Sequence, residues 1–298
     1  MQNNWKGKRV ALIGYPFCFS MEKILFDKEY FNIKDTLTCG QVFRFYQHLN
    51  GYKVCSMDKC CFVYESGNNT IIECENEDKN YFENYFDLFL DYSKIYEKAL
   101  SFNNDMLTKS AKIGKGIRIL NQNKVETLFS FMISQNNNIP RIKSIIEKLC
   151  VLFGEEKTFM GEKYHTFFKV ERVANATLEE LKGVGLGYRA PYLKKLALSL
   201  VNGYDVEGKS SLAELELKKE LLKIYGVGEK VADCVLLFGF KKTASFPVDT
   251  WMEKVYKQDF GGQLTDRTKI SKWFVEKFGN LSGYFQQYMF HYKRNIEK

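Results

Sequence analysis

The sequence predicts an α+β protein, in which an N-terminal antiparallel β-sheet domain with helices is followed by a larger, mainly α-helical body. Two observations carry this prediction. Strand-like segments separated by turn signals fill residues 22 to 75, and helical periodicity covers nearly all of the chain after residue 116. Apolar residues make up 45% of the 298, and only 4 residues are proline. This composition supports a substantial core and excludes an intrinsically disordered chain.

The predicted sheet is built from short segments rich in β-branched and aromatic residues. An Asn-Gly pair at 50–51 is a strong hairpin signal, and a second turn is expected at SGNN, residues 66–69. The strand-like segments are QVFRFYQ (41–47), YKVCSM (52–57), CCFVYE (60–65) and TIIEC (70–74).

The apolar period becomes helical after about residue 80, first in 78–92 and then in 93–102. We assign residues 21–115 to the sheet domain and residues 116–298 to the helical body. Glycines and prolines divide the body into helical segments. The expected helices are 123–134, 139–153, 178–182, 191–202, 212–224, 229–239, 250–258, 266–278 and 281–294.

The first twenty residues are interpreted as an N-terminal extension, with Met21 as an alternative start. The segment is basic and then apolar, as in a signal peptide, but it lacks an A-x-A-like cleavage site. No apolar run reaches the roughly 20 residues that span a bilayer, so we expect no membrane association.

Charge and cysteine content restrict the partners. A net charge of +8 favours a polyanion such as nucleic acid. The 8 cysteines include no C-x-x-C pair and no zinc-like Cys/His cluster, and none follows Cys234, which excludes a four-cysteine iron–sulfur cluster in the C-terminal tail. We expect reduced thiols in a cytosolic protein and no metal site.

A glycine-rich turn, YGVG (225–228), joins the helices 212–224 and 229–239 into a helix–hairpin–helix. Gly226 and Gly228 are expected to adopt dihedrals that residues with a Cβ resist. Free backbone N–H groups at the start of the second helix favour an anion such as a DNA phosphate. A simple helix–helix corner is the alternative. No strand precedes the turn, which excludes a dinucleotide-binding fold.

Lys230 occupies the second position of the following helix, where the helix dipole disfavours a cation and favours the neutral, nucleophilic amine. Asp249, in SFPVDTWMEKVY, is placed to cap the next helix. Its carboxylate can also stabilise a developing positive charge or handle protons for a nearby lysine. A solvated lysine and a purely structural cap are the alternatives.

GVGEKVADCV followed by FPVD resembles the helix–hairpin–helix, Gly/Pro…Asp superfamily of DNA glycosylases. A lysine at the position of Lys230 marks its bifunctional glycosylase/lyases. Further segments are similar to the eukaryotic-type 8-oxoguanine DNA glycosylases. These segments are TLTCGQVFRF (36–45), FSFMISQNNNIPRI (129–142), GVGLGYRAPYL (183–193) and SGYFQQYMFHY (282–292).

The resemblance implies a role for each matching residue. The Gly40 carbonyl would accept a hydrogen bond from N7–H of 8-oxoguanine, Gln286 would bind the Watson–Crick edge, and Phe290 and Cys234 would form opposite walls. Around the flipped nucleotide, Asn136 would fill the gap, Tyr188 would wedge beside the opposite base, and Arg141 and Arg189 would contact cytosine. After Pro-Val-Asp the family often has a histidine near the DNA backbone, whereas Thr250 and Trp251 follow here, so this phosphate contact is not carried over.

The implied reaction is excision of 8-oxoguanine, opposite cytosine, from duplex DNA by base flipping. A Schiff base on Lys230 and β-elimination of the abasic strand follow. No metal or redox cofactor is required, and the partner is damaged double-stranded DNA bound by a monomer. Such an enzyme would act in the nucleoid of a bacterial cell or in a eukaryotic nucleus. Two alternatives remain: a monofunctional glycosylase for another damaged base, and a non-catalytic helix–hairpin–helix DNA-binding protein.

Overall fold

The computed structural model describes residues 20–295, so the predicted N-terminal extension lies almost entirely outside the described residues. An antiparallel sheet of five strands occupies the N-terminal part, and a separate two-stranded hairpin interrupts the helical body. The strands are β1 (Met21–Asp27), β2 (Phe45–His48), β3 (Gly51–Ser56), β4 (Lys59–Ser66) and β5 (Asn69–Glu75) in the sheet, and β6 (Glu156–Phe159) and β7 (Glu162–His165) in the hairpin.

The helices confirm the predicted α+β class. Their bounds are α1 (Ile33–Thr38), α2 (Lys79–Tyr85), α3 (Tyr92–Ser101), α4 (Asp105–Ile113), α5 (Lys124–Ser134), α6 (Ile139–Phe153), α7 (Val170–Asn175), α8 (Leu178–Gly183), α9 (Ala190–Val201), α10 (Glu214–Leu222), α11 (Glu229–Gly239), α12 (Thr250–Gln258), α13 (Arg267–Phe278) and α14 (Ser282–Asn295).

The sheet runs in the order β1-β5-β4-β3-β2, with every neighbouring pair antiparallel. The predicted turn at 50–51 is one residue too far along the chain, because Gly51 pairs with His48 and the loop is Leu49-Asn50. A Cβ on Gly51 would collide with the backbone oxygen of Val63 on β4. Close approach of the strands, and not turn chemistry, therefore explains this glycine.

The predicted strand 41–47 begins only at Phe45, because the preceding residues are held by side-chain bonds in place of sheet pairing. The buried Gln41 amide donates to the carbonyls of Thr36 and Arg118 and accepts from the Leu120 backbone N–H. These bonds fix the segment that carries Gly40 against the start of the helical body.

The single helix predicted over 78–92 is wrong. The helix is interrupted between Tyr85 and Tyr92, where Asp87 has a φ of 54°. The buried Arg118 guanidinium donates to the carbonyls of this break, including those of Phe86 and Leu90 at 2.9 Å each. The backbone carbonyls that lose their helical partners are therefore hydrogen-bonded by the buried Arg118 guanidinium.

The hydrophobic core of the helical body includes α3 and α4, which lie in the N-terminal half of the chain. The sheet has a core cluster of its own. The division predicted at residue 115 stays a prediction. A buried ion pair, Arg44 with Glu126, joins the segment before β2 to α5 at 3.4 Å. Glu126 also accepts from the Met57 backbone N–H at 2.7 Å.

Within residues 20–295, no helix combines the length and apolarity needed to cross a bilayer. In the same part of the chain, no group of three or more His, Cys, Asp and Glu side chains is arranged to hold a metal ion.

Candidate active site and DNA-facing surface

The helix–hairpin–helix is present as predicted, with α10 and α11 joined by the hairpin 223–228. Gly226 has a φ of 89°, and a Cβ there would lie 2.6 Å from the Tyr192 ring. Gly228 caps α11 with a φ of −101°, which any residue adopts, so the predicted dihedral reason is wrong for this glycine. A Cβ on Gly228 would meet nothing within 4 Å, which leaves the start of α11 open to an approaching ligand.

Lys230 and Asp249 reach the same cavity from two helix starts. The Lys230 ammonium lies 5.1 Å from the centre of the Phe131 ring. Asp249 is the N-cap of α12, as predicted, and accepts from the backbone N–H groups of Trp251 and Met252 at 3.0 Å each. One carboxylate oxygen, Oδ1, accepts both of these bonds, which leaves Oδ2 without a part in the cap.

The cavity beside Lys230 has a volume of about 40 Å³. The cavity is half open to solvent, and its volume is far below the roughly 150 Å³ of a cavity that encloses benzene, so a purine cannot be enclosed there until part of the wall moves. All four residues predicted to form a base pocket line this cavity. The lining residues are Cys39, Gly40, Phe131, Lys230, Cys234, Phe238, Pro247, Asp249, Gln286, Gln287 and Phe290.

Gly40 and Phe290 are in close contact across the cavity wall. Gly40 has a φ of 84°, and a Cβ there would lie 3.1 Å from the Phe290 ring. The guanidinium of Arg294 lies 5.6 Å from the centre of the same ring. Any side chain at residue 40 would therefore be strained and would push against the ring that the sequence assigns to base stacking.

Gln286 is buried, and both ends of its amide are engaged by the protein. Its Nε2 donates to the Pro247 carbonyl at 3.2 Å, and its Oε1 accepts from Gln287 Nε2 at 2.7 Å. These two bonds orient the amide before any base arrives.

The thiols of the pocket are neutral. Burial raises the pKa of Cys234 to about 11 against the opposing effect of nearby Lys230, and burial raises the pKa of Cys39 to about 12. At neutral pH both thiols keep their protons and carry no negative charge. Asp249 is the lining residue with a carboxyl group.

The residues predicted to insert into the duplex lie on exposed turns. Asn136 has a φ of 45° in the turn between α5 and α6, and the Tyr188 side chain is 51% exposed. The Tyr188 hydroxyl donates to the Gln135 carbonyl at 3.3 Å, and Arg141 donates to the Gly185 carbonyl at 3.3 Å. The two turns therefore form one continuous surface.

Arg189 is placed differently from Arg141. Its side chain is buried and donates to the carbonyls of Gln135, Leu186 and Asn136. In the free protein Arg189 therefore holds the asparagine turn in place, and its predicted contact with cytosine stays a prediction.

Sequence reasoning missed several residues that organise the site. Gln135 donates to the Gly226 carbonyl at 3.0 Å and so ties the asparagine turn to the hairpin. Tyr192 packs under Gly226, and Gln287 orients Gln286. Arg294 follows Phe290 by four residues, and this helical spacing was the available signal that it shares the pocket face.

Family comparisons agree with this geometry. Residues 23–128 match the N-terminal domain of 8-oxoguanine DNA glycosylase, and residues 129–278 match the HhH-GPD superfamily of base excision DNA repair proteins. The chain belongs to the 8-oxoguanine DNA glycosylase family. This glycosylase is 31% identical to the N-glycosylase/DNA lyase of Saccharomyces cerevisiae, with 81% of this chain and 72% of the yeast protein covered.

Two further relatives have similar names. A probable N-glycosylase/DNA lyase of Methanothermobacter thermautotrophicus is 30% identical over 68% of this chain and 69% of its own length. The 8-oxoguanine glycosylase/lyase of Clostridium acetobutylicum, solved with double-stranded DNA containing cytosine opposite 8-oxoguanine, is 36% identical with a TM-score of 0.87. That alignment covers 94% of this glycosylase and 99% of the clostridial chain.

Proposed function

We propose that Lys230 is the nucleophile and Asp249 the electrostatic partner of an N-glycosylase/DNA lyase that removes 8-oxoguanine from double-stranded DNA. One observation carries the assignment: both side chains line a single cavity together with Gly40, Gln286 and Phe290. The protein is a bifunctional base excision repair enzyme by its family and by the names of its relatives.

In the first chemical step the neutral amine of Lys230 attacks C1′ of the flipped deoxyribose. The bond from C1′ to the base breaks, its electron pair leaves on the base, and the base takes up the proton that the Lys230 nitrogen loses after it has bonded to C1′. The Asp249 carboxylate stabilises the positive charge that develops on the sugar. The ring then opens to a Schiff base between Lys230 and C1′, loss of a proton from C2′ follows, and the C3′–O bond breaks to release the 3′ phosphate.

The DNA is held through its phosphates, independently of sequence. Support comes from the open N-terminus of α11 at Gly228 and from the net charge of +8. Flipping costs a few kcal/mol. Asn136 and Tyr188 are exposed and would fill the gap, while Arg141 and Arg189 would donate to the opposite cytosine.

The Gly40 carbonyl provides discrimination against undamaged guanine. In 8-oxoguanine N7 carries a hydrogen that this carbonyl can accept, whereas in guanine N7 has a lone pair and would leave the carbonyl unpaired. A buried acceptor without a partner costs about 1–3 kcal/mol. This corresponds to a preference of roughly five- to a hundredfold.

We also propose that the enzyme acts as a monomer without membrane attachment and without a metal or redox cofactor. Lys230, Asp249 and the predicted base-pocket residues line a single cavity, so the proposed reaction needs no group from a second copy. The enzyme would work beside the chromosome, in the nucleoid of a bacterial cell or in a eukaryotic nucleus.

Borohydride trapping on a duplex with 8-oxoguanine opposite cytosine tests the proposal. We expect the wild-type protein to form a covalent adduct and the Lys230→Gln variant to form none while it still binds the lesion duplex. Lys254, exposed on α12 with its ammonium 4.7 Å from the Trp251 ring, provides a matched lysine control, and Lys254→Gln should keep the adduct.

The other readings give different outcomes. Base release without an adduct from the wild-type protein would indicate a monofunctional glycosylase. Binding with neither release nor adduct would indicate a DNA-binding module. An adduct that survives Lys230→Gln would move the nucleophile to another residue.

A further inference from the structure

Gln287 lies on the cavity wall next to Gln286 but has no place in the function proposed so far. Its side chain is 3% exposed, and its Nε2 donates to Gln286 Oε1 at 2.7 Å. Its own oxygen, Oε1, is buried and finds no hydrogen-bond donor within residues 20–295. A native protein seldom leaves a buried acceptor unpaired without a functional reason.

The two amides have a definite hydrogen-bonding capacity left. An amide nitrogen carries two hydrogens and an amide oxygen carries two lone pairs. Gln286 Nε2 uses one hydrogen on Pro247, and Gln286 Oε1 uses one lone pair on Gln287. One donor hydrogen and one acceptor lone pair therefore remain on Gln286, and Gln287 keeps one donor hydrogen and both lone pairs of its buried oxygen.

The two amide oxygens and the remaining Gln286 hydrogen provide the two acceptors and one donor that the Watson–Crick edge of a guanine-type base requires. That edge offers the N1–H and the exocyclic 2-amino group as donors and O6 as an acceptor. Cytosine satisfies the same three groups in a base pair. Gln286 alone can satisfy two of the three, so the unpaired oxygen of Gln287 supplies what is missing.

We propose that Gln287 is a specificity-determining residue whose Oε1 accepts a hydrogen bond from the 2-amino group of the flipped base. Gln286 and Gln287 then read the base as one amide pair, and Gln287 also fixes which way the Gln286 amide points. The proposal rests on the proposed function, because it assumes that a guanine-type base enters this cavity.

Two damaged bases that differ only in the 2-amino group separate this role from a structural one. The substrates are duplexes with 8-oxoguanine or 8-oxohypoxanthine opposite cytosine, and the measurement is the single-turnover rate of base release at sub-saturating enzyme. We expect the wild-type protein to process 8-oxoguanine faster. Gln287→Met keeps the side-chain length and removes the acceptor. The variant should therefore process 8-oxoguanine and 8-oxohypoxanthine at more similar rates than the wild type does.

The ratio of the two rates is compared between proteins, because differences in leaving-group chemistry and duplex stability then cancel. Loss of one hydrogen bond to a buried acceptor should change this ratio by roughly five- to a hundredfold. An unchanged ratio in Gln287→Met, with both rates lowered equally, would show that Gln287 only positions Gln286 and would overturn the proposal.

A duplex with an abasic site provides the control, since it has no base to read. Gln287→Met should form the borohydride adduct on this duplex as the wild type does, which shows that the fold and Lys230 are intact. If Gln287→Met does not fold, Gln287→Asn takes its place, because it withdraws the oxygen by one methylene. Absence of 8-oxoguanine release and of abasic-site adducts by the wild type would instead contradict the proposed function itself.

Discussion

At the scale of single residues, the two glycines of the hairpin are required for different structural reasons. Gly226 has a φ of 89° and its Cα faces the Tyr192 ring, whereas Gly228 has ordinary dihedrals and faces open space. A glycine can be required by its own backbone or by what must approach it, and here the hairpin contains one of each kind.

The Gly226→Ala variant is expected to lose about 1–2 kcal/mol of unfolding free energy from the left-handed conformation alone, plus the cost of displacing Tyr192. Gly228→Ala should unfold like the wild type but bind duplex DNA more weakly, because the added methyl group occupies the space before α11. Denaturant unfolding and DNA binding at fixed salt measure the two effects. Equal losses of stability in both variants would contradict this division.

The residues of the pocket were readable from sequence because each belongs to a short motif. Gly40, Cys234, Gln286 and Phe290 were all predicted, and all line the cavity. The hydrogen bonds from Arg189 to Gln135 and Asn136 could not be predicted from the sequence, because they go to backbone carbonyls 54 and 53 residues earlier in the chain. Motifs reveal which side chains are chemically suited to a task, whereas backbone partners depend on how distant turns meet.

At the scale of elements, the start of α12 combines structural and chemical demands on one carboxylate. Asp249 caps the helix through Oδ1, and its side chain also lines the cavity. Asn is as good an N-cap as Asp, while Ala is much poorer. The two demands can therefore be separated by choosing the replacement.

Asp249→Asn should retain the stability of the wild type and lose most of its base-release activity, because the cap remains and the negative charge does not. Asp249→Ala should lose activity and also about 0.5–2 kcal/mol of unfolding free energy. Thermal or denaturant unfolding, paired with single-turnover base release, distinguishes them. A fully active Asp249→Asn would restrict Asp249 to capping.

Two strands that the sequence analysis did not predict, β6 and β7, lack an apolar signal. The strands β6 and β7 read EKTF and EKYH, and seven of their eight residues are at least partly exposed. Their pairing depends on the Met160-Gly161 turn, where φ is 50° and 79°. The prediction of one helix over 78–92 was wrong because the helical apolar pattern continues across the interruption between α2 and α3. The backbone of that interruption is held by the distant Arg118, which the local pattern does not reveal.

At the scale of the whole molecule, the sheet and the helical body are joined through a buried charge pair. Arg44 and Glu126 are 3.4 Å apart with side chains 2% and 9% exposed. Arg44 also donates to the His165 carbonyl at 2.6 Å, so one guanidinium contacts the body at two points. The segment that carries Gly40 immediately precedes Arg44 in the chain, which makes the position of the pocket wall depend on this junction.

Removal of the Glu126 carboxylate leaves Arg44 buried without its counter-charge. Glu126→Ala should therefore cost about 3–5 kcal/mol of unfolding free energy. Glu253 forms ion pairs near the surface with Lys257 and Arg267, and Glu253→Ala should cost less than about 1 kcal/mol. Denaturant unfolding of both variants makes the comparison, and a small effect of Glu126→Ala would mean that the junction does not depend on this pair.

The tight cavity beside Lys230 also affects how fast the pocket can exchange its contents. Because its volume of about 40 Å³ is far too small to enclose a purine, we expect its wall to move before a base is bound and again before the excised base departs. Each turnover therefore includes gating steps besides bond breaking. We therefore expect free 8-oxoguanine to bind to this pocket more slowly than diffusion alone would allow.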